Sequence, residues 1–210
     1  MVYNESGDKM DRVKIKESAK KKISGHVWEL VLPFIISGLL SSMISYLFGE
    51  NSENLGVSIS ASMISTILTL PLSFGCVAYL MAFLRGKPYD LKLVFSYYKK
   101  VGPIFAVWFL VSLFSTLWSL LLIIPGIIAS ISYSMTTFIF LDGEENALEC
   151  IRKSKKMMYG YKTDYFMFLL SFVGWFFLGI LSLGLLFIWI VPYLNVANLM
   201  YYEELKKLEK

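Results

Sequence analysis

Residues 103–141 read PIFAVWFLVSLFSTLWSLLLIIPGIIASISYSMTTFIFL, a stretch without one Asp, Glu, Lys, Arg or His. As a single helix it would be ~58 Å long at 1.5 Å per residue, about twice the thickness of a hydrocarbon layer. Pro125-Gly126 stands inside it and gives the chain a place to turn. A tight pair of helices, about 103–124 and 126–141, accounts for the whole stretch, the second being short for a span at ~24 Å. Residues 165–202 form another charge-free block, interrupted by Ser182-Leu183-Gly184. The same reasoning divides it into spans at about 163–183 and 184–202, with Pro192 inside the last.

Working outward, two further apolar runs precede these blocks, at about 27–48 and 57–84, the second carrying Pro71 near its middle. That proline predicts a kink or a tilt. The chain is 56% hydrophobic and 16% aromatic, above the 45–50% apolar share usual for soluble domains. The expectation is an all-α membrane protein with six transmembrane helices arranged as three helical hairpins. Short amphipathic helices are expected in the interface on the cytoplasmic side. A basic amphipathic segment, 1–26, would precede a single transmembrane domain, 27–203, and a charged tail, 203–210, would follow. The 22-residue first run is longer than a signal-peptide core and lacks a small-residue cleavage site, so it is expected to stay.

The charges test this division independently. With six spans, the segments 1–26, 85–102, 142–162 and 203–210 share one side, and their Lys/Arg counts of 7, 5, 5 and 3 account for all 20 basic residues. The opposite side receives Gly49–Gly56, Pro125 and the Ser182–Gly184 turn, with Glu50 and Glu53 and no basic residue. Short loops rich in Lys and Arg remain cytoplasmic, which places both termini inside. A net charge of +4 then reads as affinity for anionic headgroups, not for nucleic acid.

A basic pair and a glycine introduce each hairpin: Lys21-Lys22 before Gly25, Lys99-Lys100 before Gly102, and Lys155-Lys156 before Gly160. An aromatic follows each time, at Trp28, Phe105 and Phe166. Each glycine is expected to end an interfacial helix before the chain enters the bilayer. The clearest such helix is Glu144–Tyr159, acidic at its start, basic at its end, with Ala147, Leu148, Ile151 and Met158 on one face. Lys20, Lys21, Lys22, Lys99, Lys100, Arg152, Lys153, Lys155 and Lys156 are the candidate headgroup contacts.

The stretch from Ile124 to Tyr202 resembles the bacterial membrane family catalogued as domain of unknown function 975. The residues that carry the likeness are Ile124-Pro125-Gly126, Tyr133, Ser154, Met158-Tyr159-Gly160, Ser171-Phe172-Val173-Gly174-Trp175, Leu178-Gly179, Gly184 and Pro192-Tyr193. The resemblance implies a multi-pass bacterial membrane protein and brings no activity with it.

Chemistry is sparse. No ionisable residue falls at membrane depth on this reading; Glu29 and His26 sit at an interface, where Glu29 can pair with lysines. Asn195 and Asn198, three apart on the last span, share a face that lipid cannot satisfy. They are expected to bond neighbouring helices or, with Tyr133, to line a polar cavity. Ser37, Ser41 and Ser45, and Ala61, Ser65, Thr69 and Ser73, form small-residue stripes that suit close contact between the first two spans. One histidine and two separated cysteines, Cys76 and Cys150, give no metal cluster, cofactor motif, catalytic triad or disulfide framework. The expectation is a non-enzymatic plasma-membrane protein, an accessory or interaction component of the bacterial envelope. It would contact anionic lipid headgroups and no nucleic acid, with a membrane-protein partner or a second copy of itself as its protein contact. The alternative is a small channel or transporter subunit with a polar path at Asn195/Asn198.

Overall fold

A computed structural model describes residues 11–48 and 55–208, and every regular element among them is helical. The expected outer loop with Glu50 and Glu53 falls largely on residues 49–54, outside those described. Among the described residues, five helical segments are long and apolar enough to cross a membrane: Val27–Leu47, Ser58–Leu84, Lys92–Leu121, Ile123–Leu141 and Lys162–Leu181. The expected sixth, Gly184–Tyr202, is not among them. Its helix starts only at Phe187 and runs on through Glu203, Glu204, Lys206 and Lys207 to Leu208, which dilutes its apolar character. The chain divides into two compact units, Trp28–Phe105 and Met1–Val27 with Ala106–Lys210.

In the unit Trp28–Phe105, α2 (Val27–Phe48) and α3 (Leu55–Leu84) run antiparallel. Cys76 Sγ donates to the Pro33 carbonyl (3.5 Å), and twelve residues on in α2, eleven back in α3, Ser45 and Ser65 hydroxyls meet at 3.4 Å. Ser45 and Ser65 are one contact between the two stripes, whereas Ser37, Thr69 and Ser73 donate to carbonyls of their own helices. Pro33 has no N–H and cannot bond the carbonyl of Glu29, one turn earlier. The Tyr79 hydroxyl supplies the missing donor to that carbonyl at 3.2 Å. After α3, α4 (Lys92–Ser96) and a 3-10 turn (Tyr97–Lys100) fold back along it. Tyr89 packs edge-on against Tyr79 and Phe83, and Tyr98 donates to the Leu68 carbonyl at 2.8 Å. Between them, a Cβ on Gly75 would lie 2.0 Å from the Val94 carbonyl oxygen, so only glycine admits this approach. The segment expected as a short basic interfacial helix before Gly102 is therefore packed on α3 for part of its length.

α5 (Val101–Leu121) begins in that unit and continues in the other. Gly102 lies inside its first turn, so the second glycine of the repeated pattern does not end a helix. Gly25 and Gly160 do stand where a helix has just ended, at φ 95° and 84°.

In the second unit the first turn of the block comes at Leu122, three residues earlier than expected. Leu122 is extended (φ −163°, ψ 145°), and α6 (Ile123–Ser132) starts at once. Pro125 falls in the first helical turn, where its missing N–H has no intrahelical acceptor to lose. Gly126 serves close approach: a Cβ there would lie 2.2 Å from Ser119 Oγ and 2.7 Å from Ser119 Cα on α5. The rest of this leg is α7 (Thr136–Leu141), followed by α8 (Ala147–Met157) packed on it. Asn146 caps α8 through the N–H groups of Leu148 and Glu149, at 3.1 and 3.2 Å. The buried face of α8 is Ala147, Cys150, Ile151, Ser154 and Met157, while Leu148 points outward. Helical spacing found this face in part but assigned Leu148 to it wrongly.

The last hairpin also has more breaks than expected. The stretch expected as the fifth span is α9 (Lys162–Leu170) and α10 (Val173–Leu181), and the stretch expected as the sixth lies in α11 (Phe187–Leu208). The turn between them uses Leu183 at φ 54° and Gly184 at φ 90°, with Gly184 N–H closing onto the Gly179 carbonyl at 3.0 Å. Aromatic pairs zip the legs together: Phe176 on Phe187, Trp175 on Trp189, Phe172 on Tyr193, and Phe168 and Tyr165 on Tyr201, at 5.0–5.9 Å between ring centroids. Such pairs contribute about 0.5–1.5 kcal/mol each beyond their buried area. The α1 helix (Arg12–Ile23) lies along α11.

Candidate functional site

The three intramembrane polar candidates do not converge. Asn195 donates its side-chain amide to the Val191 carbonyl of its own helix at 2.9 Å. Asn198 accepts from the Tyr165 hydroxyl at 3.1 Å, which joins α11 to α9. One turn further on, Tyr201 donates to Asp164 Oδ2 at 3.0 Å, and Arg12 Nε meets Asp164 Oδ1 at 3.2 Å. Tyr133 sits elsewhere, in an apolar cluster with Ala129, Ile151, Leu110, Val111 and Phe114. The polar cluster around Asn198 thus holds Tyr165, Tyr201, Asp164 and Arg12 in place of Tyr133.

Sequence reasoning missed a set of groups that do converge, at interruptions within the apolar legs. Between α6 and α7, Thr136 N–H bonds the Tyr133 carbonyl (3.1 Å), which leaves the Ser132 carbonyl without its usual helical donor. Ser154 of α8, fully buried, donates to that oxygen at 2.8 Å and accepts from Met135 N–H at 3.2 Å. Between α9 and α10, Trp175 N–H bonds the Phe172 carbonyl (2.9 Å), which frees the Ser171 carbonyl. Lys16 of α1 reaches that oxygen at 3.5 Å and the Ser171 hydroxyl at 3.0 Å, with its ammonium 4.9 Å from the Phe172 ring centroid. Burial there lowers the Lys16 pKa from its ordinary value. An ionisable side chain of α1 therefore reaches this leg at its break. No local pattern reveals it, because its partner lies 155 residues away. Within the other unit, Glu29 accepts from the Tyr89 hydroxyl at 2.7 Å, a partner that the expected lysine pairing did not foresee.

The basic candidates are all exposed, and several are engaged with acids. Arg152 bonds Glu149 through two nitrogens (2.9 and 2.7 Å), Lys153 bonds Glu144 (2.7 Å), and Lys206 pairs with Asp142, which also accepts from Tyr202. These residues and Lys156 line an open cleft of about 750 Å³. The Lys153 hydrogen bond holds the Glu144 carboxyl below its usual range, and Arg152 does the same for Glu149. Cys150 is buried and donates to the Glu144 carbonyl at 3.0 Å; burial pushes its thiol up to about 11. Lys155 and the Lys20–Lys22 triplet face outward, and Lys99 and Lys100 are exposed on the 3-10 turn beside α3. Among the described residues, no group of three or more His, Cys, Asp or Glu side chains is placed to hold a metal ion.

No curated protein and no solved structure matches the chain. Gly126, Ser154, Ser171 and Gly179, which carry the family likeness, occupy close approaches or helix interruptions in the fold. Residues 119–209 match the family model described as "Protein of unknown function (DUF975)", so the likeness read from Ile124 to Tyr202 is shown for that segment.

Proposed function

We propose that this chain is a non-enzymatic, multi-pass protein of the bacterial plasma membrane, with six spans in three hairpins and both termini in the cytoplasm. It acts as an accessory or interaction component of the cell envelope. Its exposed lysines contact anionic headgroups, and its apolar legs pack against a membrane partner or a second copy. The observation that carries this reading is the separation of charge within the two hairpins of the second unit. Leu120, Ile123, Leu181 and Leu183 are exposed around the two turns of the second unit, with no charged residue near them in sequence. The ion pairs of Asp142, Glu144, Glu149 and Asp164 gather at the opposite, open ends. An exposed apolar tip suits lipid, and a charged base suits the headgroup layer, where each basic residue contributes about 1 kcal/mol of attraction to anionic lipid. The hydrogen bonds of Asn195 and Asn198 support a packing role over a solute path.

Cysteine labelling in intact cells tests the topology. With Cys76 and Cys150 replaced by Ala, Leu183→Cys should react with an impermeant maleimide from outside. Lys87→Cys and Lys155→Cys should react only after permeabilisation. Outside labelling of Lys155→Cys would overturn the six-span arrangement.

A further inference from the structure

The amino-terminal helix has one apolar face and two surfaces that suit it. On α11 that face is Ile15, Ala19 and Ile23, each buried. Beside that apolar contact stand three polar fastenings: Arg12 to Asp164 at 3.2 Å, Lys16 to the Ser171 hydroxyl at 3.0 Å, and Tyr193 to the Lys16 carbonyl at 3.4 Å. Away from α11 the same helix has the composition of a surface-seeking segment. Arg12, Lys14, Lys16, Lys20, Lys21 and Lys22 stand against a single acid, Glu17, within Arg12–Ile23. An anionic surface attracts such a helix through its charges and then accepts its apolar face.

The two surfaces compete for the same groups. While α1 is docked, Arg12 and Lys16 are committed and the apolar face is covered, so Lys14 and the Lys20–Lys22 triplet alone look outward. Anionic lipid gains two further cations and an apolar face only when α1 leaves α11. That difference in affinity is what allows a ligand to shift an equilibrium. Burial disfavours the Lys16 ammonium in the docked state, so release also restores its solvation.

We propose that α1 is a displaceable strap, exchanging between α11 and an anionic membrane surface and uncovering the Ser171–Phe172 break when it leaves. This rests on the reading of the basic segments as lying at a membrane surface. Spin labels on Ser18→Cys and Tyr159→Cys, in the full chain with Cys76 and Cys150 replaced by Ala, report the docking distance in lipid nanodiscs. In phosphatidylcholine one short distance should dominate. Phosphatidylglycerol should raise the undocked-to-docked ratio about tenfold or more, and high salt should reverse the change. Arg12→Gln should raise the undocked share in neutral lipid, and replacing Lys20, Lys21 and Lys22 by Gln should blunt the response to phosphatidylglycerol. A distance distribution that ignores phosphatidylglycerol in the unmodified helix would sink the proposal. If Leu183→Cys is still labelled from outside in cells, the topology stands and the strap alone fails.

Discussion

Ser154 carries no charge, yet two backbone groups depend on it. Its hydroxyl serves the Ser132 carbonyl and the Met135 N–H in a site closed to solvent. Ser154→Ala leaves both without a partner, and each buried orphan costs about 1–3 kcal/mol. Thermal unfolding in detergent should show a drop of several degrees, whereas the exposed Ser96→Ala should change little. A Ser154→Ala protein as stable as the original would contradict the capping role. Four residues earlier, the Cys150 thiol is pushed up to about 11 by burial. At pH 7.5 its reactive thiolate is then roughly a few parts in ten thousand. Maleimide should modify Cys150 only after unfolding, and fast labelling of the folded protein would contradict its placement.

Helices in this chain are defined as much by their interruptions as by their apolar runs. Gly126 touches Ser119 so closely that a methyl group has no room. Gly126→Ala should therefore force α5 and α6 apart, at a cost of about 1–3 kcal/mol in stability. Retention of the parent melting temperature would show that the hairpin can relax there. Between α3 and α2, Tyr79→Phe should destabilise the parent by about 1 kcal/mol, since the Glu29 carbonyl loses the Tyr79 hydroxyl. With Pro33→Ala a backbone N–H is restored, and the same Tyr79→Phe change should cost measurably less. Additive effects of the two changes would refute the replacement of one donor by the other. The apolar legs were legible because charge-free runs and Lys-rich flanks are local signals. Pro125-Gly126 signalled a turn but misplaced it, since proline is also comfortable in a first helical turn and glycine also permits close packing. The breaks at 133–135 and 171–172 carry neither residue as a punctuator, and their caps, Ser154 and Lys16, come from distant sequence. Asn195 and Asn198 were recognisable as polar groups needing partners. Asn195 bonds the Val191 carbonyl of its own helix, and the partner of Asn198 depends on α9, whose Tyr165 faces α11 only once the hairpin has folded.

At the largest scale the second unit shows, exposed apolar side chains stand around its hairpin turns and its ion pairs stand at the open ends. Glu144 and Glu149 have folded-state pKa values below the ordinary 4.5 because Lys153 and Arg152 bond them. A depressed carboxylate contributes stability that is present above its unfolded pKa and is lost as pH falls through the lower folded value. The base of the second unit should therefore hold from neutral pH down to about 4.5 and loosen below it. Glu144→Gln together with Glu149→Gln should flatten that acid limb in a pH series of melting temperatures. An unchanged limb would assign the acid sensitivity to other carboxylates. Reconstituted protein should also pass no solute, and a liposome flux abolished by replacing Asn195 and Asn198 with Leu, stability intact, would revive a transport role.

The contact between Lys16 and Ser171 also has a time order. Chains grow from the amino end at about 5–20 residues per second, and Lys16 precedes its partner by 155 residues. About 8–30 seconds therefore separate the two on the ribosome, during which α2 to α9 emerge. Through that interval α1 has no α11 to rest on. On the proposed membrane reading, its lysines are then at liberty to hold the nascent chain against the surface into which the later helices insert, and docking on α11 comes late in biogenesis.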